Sequence, residues 1–159
     1  DLSGKEIQKL TFQGPSGVVT SVAFSPNGKF LLASSSTSVS AKLWDLNGKE
    51  IHEFKGHEDN VTSATFSPDG QHILTGSSDK TAKLWDLSGK VIATFDRHTA
   101  GINKVTFSPD GRHCMTGSAE VILWPTPWTI YDWLESPECT LPPLSGEDRK
   151  KYNLQPLKP

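Results

Sequence analysis

A unit of about 41 residues is written three times in this chain, and that internal repeat constrains the fold more than any other feature. Residues 54–92 read FKGHEDNVTSATFSPDGQHILTGSSDKTAKLWDLSGKVI; residues 12–51 and 95–124 follow the same text with substitutions. The landmarks step evenly. Pro26, Pro68 and Pro109 stand 42 and 41 residues apart, and Trp44, Trp85 and Trp124 stand 41 and 39 apart.

Within one unit the periodicity is that of extended chain. Apolar and small residues alternate through Val61–Phe66 and Ile73–Ser77, which predicts strands. Between them Ser67-Pro68-Asp69-Gly70 is a turn: proline presets φ, aspartate bonds its own backbone, and glycine takes the positive φ. Asn27-Gly28 and Asp110-Gly111 repeat it. Asp79-Lys80 is a second turn; Ser88-Gly89, with Asn47-Gly48 as its counterpart, is a third. Three turns join four short strands, so each unit is an antiparallel meander. Both of its faces carry small or apolar residues: Ala64, Gly76 and Ala82 beside Phe66, Leu74 and Leu84. One such sheet cannot bury two faces alone, but stacked neighbours can bury both.

Composition narrows the partners. With 35% apolar and 21% charged residues, the chain is too apolar for disorder, and 13 Gly with 11 Pro punctuate it too often for a helical bundle. A formal net charge of −2 supplies no broad basic field, which argues against nucleic acid or anionic membrane as electrostatic partners. No apolar run is long enough for a membrane-crossing helix, and no basic-then-apolar signal segment opens the chain. The two cysteines, Cys114 and Cys139, are too few for a disulfide framework and are as expected in a reducing cytosol as anywhere else; a cytoplasmic setting is the expectation. Cys114 takes the place of Ile73 in the repeat and is expected to be a small core hydrophobe.

A period of about 40 residues with GH and WD landmarks is the spacing of a four-stranded propeller blade. Over residues 1–124 the chain resembles the WD-repeat β-propeller family, in particular bacterial proteins whose successive blades are near copies. The resemblance implies an all-β fold: a partial propeller of about three four-stranded antiparallel blades with a short, partly helical C-terminal tail. The expected divisions are the last strand of a preceding blade (1–12), blade 1 (13–54), blade 2 (55–95), an incomplete blade 3 (96–124) and the tail (125–159). The resemblance also implies a structural tetrad in each blade, complete in blade 2 as His57, Ser77, Asp79 and Trp85. There the carboxylate, imidazole, hydroxyl and indole form one buried hydrogen-bonded chain. Blade 3 keeps a partial set in His98, Ser118 and Trp124, with its turn shortened to Ala119-Glu120. Blade 1 keeps Trp44, with Pro15 in the histidine place and Ser38 near the aspartate place. Blade 2 is accordingly expected to be the most rigid.

A His–Ser–Asp trio also raises the thought of a hydrolase. Its recurrence with the structural period, and a serine lying within a strand rather than on a sharp elbow, argue for structure, so no catalytic residue is assigned. His52, His57 and the His113-Cys114 pair fit no metal-ligand spacing, and no glycine-rich phosphate cradle is present, so neither metal nor cofactor is expected. The Ser34–Ser38 run aligns with a strand and its turn. Binding is left to the rim near the propeller axis, where the resemblance places Val18, Thr20, Asn60, Thr62, Ser78, Gly101 and Asn103. The expected function is a non-catalytic scaffold for protein–protein interaction. The alternative is a C-terminal sensor or regulatory propeller of a larger bacterial signalling NTPase or caspase-like protease, which the tail resembles.

Beyond Trp124 the pattern breaks at Pro125-Thr126-Pro127. Helical turns are expected at Ile130–Leu134 and Leu144–Tyr152, and Trp128, Tyr131 and Trp133 are candidates to pack on the last blade. Asp1–Lys5 matches Asp45–Lys49 and Asp86–Lys90, so the chain reads as starting inside a further blade. Three blades do not close a ring. The missing neighbours are expected to be remaining blades of the same protein, or copies in a homo-oligomer that completes a ring.

Overall fold

A computed structural model describes residues 18–129. Among these residues the secondary structure is all-β, apart from one helical turn at 127–129. Strands β1 (Val19–Phe24), β2 (Phe30–Ser35), β3 (Ser40–Asp45) and β4 (Glu50–Lys55) pair in chain order as one antiparallel sheet. Strands β5 (Val61–Phe66), β6 (His72–Ser77), β7 (Ala82–Asp86) and β8 (Val91–Phe95) form the second. The third holds β9 (Lys104–Phe107), β10 (His113–Gly117) and β11 (Val121–Pro125). The sheets of four, four and three strands are partial propeller blades, as the repeat implied.

The turns form for local reasons. In the second sheet Ser67 Oγ donates to Asp69 Oδ1 at 2.5 Å and accepts from the His72 amide at 2.9 Å, while Asp69 Oδ1 also accepts from the Gln71 amide. Ser25 with Asn27 and Ser108 with Asp110 repeat the arrangement. The third turn of each complete sheet is closed by an aspartate: Asp45 Oδ1 accepts from the Asn47 and Lys49 amides, and Asp86 Oδ1 from the Ser88 and Lys90 amides. In the third sheet that place is Pro125, which has no carboxylate. Among the described residues no fourth strand of this sheet follows it.

Two apolar layers lie between the sheets. Leu32, Ala41, Leu43 and Phe54 of the first sheet meet Val61, Ala64, Phe66, Ile73 and Trp85 of the second. On the opposite face of the second sheet, Leu74, Ala82, Leu84 and Phe95 meet Ile102, Val105 and Cys114. Adjacent residues Ile73 and Leu74 therefore enter different cores, as strand alternation requires. Hydrogen bonds stitch the same seams. Thr20 Oγ1 donates to Val61 O at 2.9 Å, Ser21 Oγ to Ala64 O at 3.0 Å, and the Val61 amide to Ser38 O at 2.9 Å. One unit on, Thr62 Oγ1 donates to Ile102 O, the Ile102 amide to Ser77 O at 2.9 Å, and the Val105 amide to Ser63 Oγ at 3.3 Å.

The outer strands interlock through one tight contact. His52 of β4 reaches the Ser88-Gly89 turn of the next sheet, and a Cβ on Gly89 would lie 2.0 Å from His52 Nε2, at a backbone φ of +86°. Gly28 has a similar φ, +68°, but open space around it. Gly28→Ala is expected to cost only the left-handed penalty, about 1 kcal/mol. Gly89→Ala must also displace His52 and should cost about 2–3 kcal/mol. Urea unfolding of both variants reads the difference; equal losses would mean that the His52 contact contributes nothing.

Candidate functional site

The most elaborate polar cluster is buried inside the second sheet. The segment after β4 brings in His57, β6 presents Thr75, the β6–β7 turn carries Asp79, and β7 presents Trp85. His57 Nδ1 lies 2.8 Å from Asp79 Oδ2, and His57 Nε2 lies 2.7 Å from Thr75 Oγ1. Trp85 Nε1 donates to the same Thr75 oxygen at 2.8 Å. Thr75 and Trp85 are fully buried, and His57 is nearly so.

Electrostatics fix the protonation states. Burial pulls the Asp79 carboxyl pKa up, but hydrogen bonds from Thr81 Oγ1, the Glu58 and Thr81 amides and the His57 ring outweigh it and hold it at about 2. Burial pushes the His57 pKa down, only partly opposed by Asp79. The pair is therefore a neutral imidazole and an ionised carboxylate. Nδ1–H donates to Asp79, Nε2 accepts from the Thr75 hydroxyl, and that hydroxyl accepts from the indole. Each donor has an acceptor, as a buried network requires.

The relay hydroxyl corrects the expectation that Ser77 fills this place. Ser77 Oγ instead donates to Asp59 O at 2.9 Å and accepts from the Asp79 amide at 3.0 Å, bracing the turn. Thr75 and Ser77 are two apart on β6 and share a face, so alternation alone could not separate them. The third sheet carries the same correction. Thr116, not Ser118, joins His98 Nε2 (2.6 Å) to Trp124 Nε1 (2.8 Å). Ser118 Oγ lies 2.9 Å from His98 Nδ1, on the side Asp79 takes in the second sheet, with Glu120 Oε1 farther away at 3.6 Å. In the first sheet Ala33 occupies the relay place and has no hydroxyl, and Trp44 is buried. Ser38 bonds Ser40, whose hydroxyl donates to Glu53 at 2.7 Å. Pro15 lies outside the described residues. The recurring Thr75 and Thr116 could have been picked out as the shared hydroxyls of the two histidine-bearing units.

The groups of this cluster are bonded to one another. Ser77 is not bonded to His57, and the Thr75 hydroxyl is fully buried with the indole and imidazole both on it. Among the described residues, no group of three His, Cys, Asp or Glu side chains converges as a metal site. Cys114 is a buried free thiol, its pKa pushed up to about 12 by burial. Cys139 lies outside the described residues.

The rim residues divide. The hydroxyls of Thr20 and Thr62 are spent on the seams. Asn60 O accepts from the Ser78 amide at 2.9 Å, and Ser78 packs closely against Gly101, where a Cβ would lie 3.1 Å from Ser78 Cα. Val18 and Asn103 are exposed. No helix of the described residues is long and apolar enough to cross a membrane.

The sequence is similar to that of known proteins. The family described as WD domain, G-beta repeat matches residues 6–45, 48–86 and 89–120. The RbAp48-related WD40 repeat-containing protein prw1 of Schizosaccharomyces pombe is 46% identical over 46 residues, which are 28% of this chain and 11% of that protein. The match thus spans about a ninth of that relative's length.

Two outcomes test the clamp. Thr75→Val leaves His57 Nε2 and Trp85 Nε1 without partners and should cost about 2–4 kcal/mol; Ser77→Ala should cost about 1 kcal/mol. The reverse order in urea unfolding would restore Ser77 to the relay. The second outcome concerns pH. Because the Asp79 pKa falls from 3.8 to about 2 on folding, its stabilisation is present above 3.8 and lost as pH drops through about 2. With allowance for solvent screening this amounts to roughly 1–2 kcal/mol. The stability gap between the native chain and Asp79→Asn should shrink by that amount from about pH 5 to about pH 2; a constant gap would refute the assignment.

Proposed function

This chain belongs to the WD domain, G-beta repeat family, and from that premise we propose that it is a non-catalytic scaffold for protein–protein interaction, acting as part of a larger propeller. WD repeats generally serve as interaction surfaces, and the polar cluster is consumed by structure. The observation that carries the reading is the contrast between equivalent positions. Val22 and Phe24 are 74% and 70% exposed, whereas their counterparts Ala64 and Phe66 in the second blade are 3% and 7% exposed. At the other end Met115, Val121 and Leu123 are 41%, 70% and 60% exposed, while Leu74, Ala82 and Leu84 are fully buried. Among the described residues, positions whose counterparts are buried against a neighbouring blade are exposed on the first and third blades, and exposed apolar surface of this kind supports an interaction site.

The blade divisions at 13–54, 55–95 and 96–124 are part of the proposal, as are the clamp roles of His57, Asp79 and Trp85 and of His98, Trp124 and Trp44. The end faces take further blades, either of the same protein or of another copy that completes a ring. Protein partners meet the rim at Asn60, Ser78 and Asn103, beside Thr20 and Thr62, in a cytoplasmic, bacterial setting. A sensor or regulatory propeller at the C-terminal end of a signalling NTPase or caspase-like protease is the second reading, supported by the resemblance of the C-terminal tail.

Light scattering tests the end faces. The 159-residue chain is expected to self-associate as concentration rises, and Val22→Lys with Phe24→Lys should abolish this. A native chain that stays monomeric and soluble throughout would contradict the proposal.

A further inference from the structure

The chain leaving β11 turns back onto the molecule. The Thr126 amide and hydroxyl both donate to Arg112 O at 2.9 Å, and the Thr129 hydroxyl donates to the same oxygen at 2.7 Å. Trp128 Nε1 donates to Gly111 O at 3.0 Å. These three residues thus grip the β9–β10 turn of their own blade, and Thr126 is fully buried in doing so. The indole then crosses to the second blade, where it stacks on His72 with ring centroids 4.5 Å apart and planes 26° from parallel. It also packs against the apolar core shared by the second and third blades. The route follows from Pro125 standing where Asp45 and Asp86 close the corresponding turns.

We propose that Thr126–Thr129 is a strap that locks the third blade to the second, and that protonation of His72 releases it. His72 Nδ1 is buried with no hydrogen-bonding partner; the nearest carboxylate oxygen, Asp69 Oδ1, is 3.9 Å away. A neutral ring tolerates a bare acceptor, but a protonated ring places a charged N–H where nothing accepts it. Undocking the indole uncovers the ring face on which it stacks, so protonation favours the open strap. The charged groups acting on His72 are Asp69 in its own turn and Asp86 across the ladder from it. The strap brings no charge, and the turn it grips carries Asp110 and Arg112. Both acids, and the attraction of an imidazolium to an indole face, favour the charged form. Burial outweighs the acids and keeps the His72 pKa below its ordinary value. The strap's hold is therefore complete above the ordinary histidine pKa and is lost as pH falls through the lowered one.

Amide hydrogen exchange in the full chain, corrected for the intrinsic effect of pH, tests this at Thr126 and Thr129. Between about pH 7.5 and about pH 5, native protection at both amides should fall severalfold, while core amides such as Ile73 stay protected. His72→Phe keeps an aromatic surface under the indole and should remove the pH dependence; His72→Gln serves the same purpose if the phenylalanine variant loses core protection. Trp128→Ala should leave both amides weakly protected at either pH. Native protection that does not change with pH, or an undiminished pH response in the histidine variants, would overturn the proposal.

Discussion

Each of these sheets has two apolar faces, and only another sheet can cover both at close-packed density. That requirement organises the molecule. The second sheet meets it on both sides, placing Ile73 and Trp85 in one core and Leu74 and Leu84 in the other. Full burial of one such side chain is worth about 1.5–3 kcal/mol, so two cores of this size dominate what holds the blades together. The seam hydrogen bonds of Thr20, Ser21, Thr62 and Ser63 add direction to a contact that apolar burial alone would leave free to slide.

The polar clamp answers a different need. A four-stranded meander this short must hold its turns against fraying, and the second blade does so with one buried chain from Asp79 through His57 and Thr75 to Trp85. The third blade keeps the inner half of that chain through Thr116 but replaces the carboxylate by the Ser118 hydroxyl. The first blade has Ala33 at the relay place, and in it Ser40 bonds Ser38 and Glu53. The blades are alike in backbone and differ in polar bracing, which is fullest in the second.

The sequence exposed the fold because the repeat repeats its punctuation. Ser67-Pro68-Asp69-Gly70 and its two counterparts mark the same hairpin, and the strand alternation between them sorts the faces. The relay hydroxyl was less legible, since Thr75 and Ser77 share one face of β6 and only three-dimensional register decides which meets the imidazole. The rim was harder still. Thr20 and Thr62 sit where a partner was expected, yet their hydroxyls reach the next blade, a contact between residues 41 and 40 positions apart that no local pattern announces. The packing of Trp128 on His72 was visible only as an aromatic residue after the last strand. The expected helices at Ile130–Leu134 and Leu144–Tyr152 lie outside the described residues.

The view that stability resides between blades rather than within them is tested most directly by excising one. A peptide spanning residues 55–95 contains every strand, turn and clamp residue of the second blade but neither neighbour. Circular dichroism on heating should show no cooperative transition in that peptide, whereas the whole chain should melt cooperatively. A sharp, reversible transition in the isolated unit would show that one sheet sustains itself, and would contradict the account.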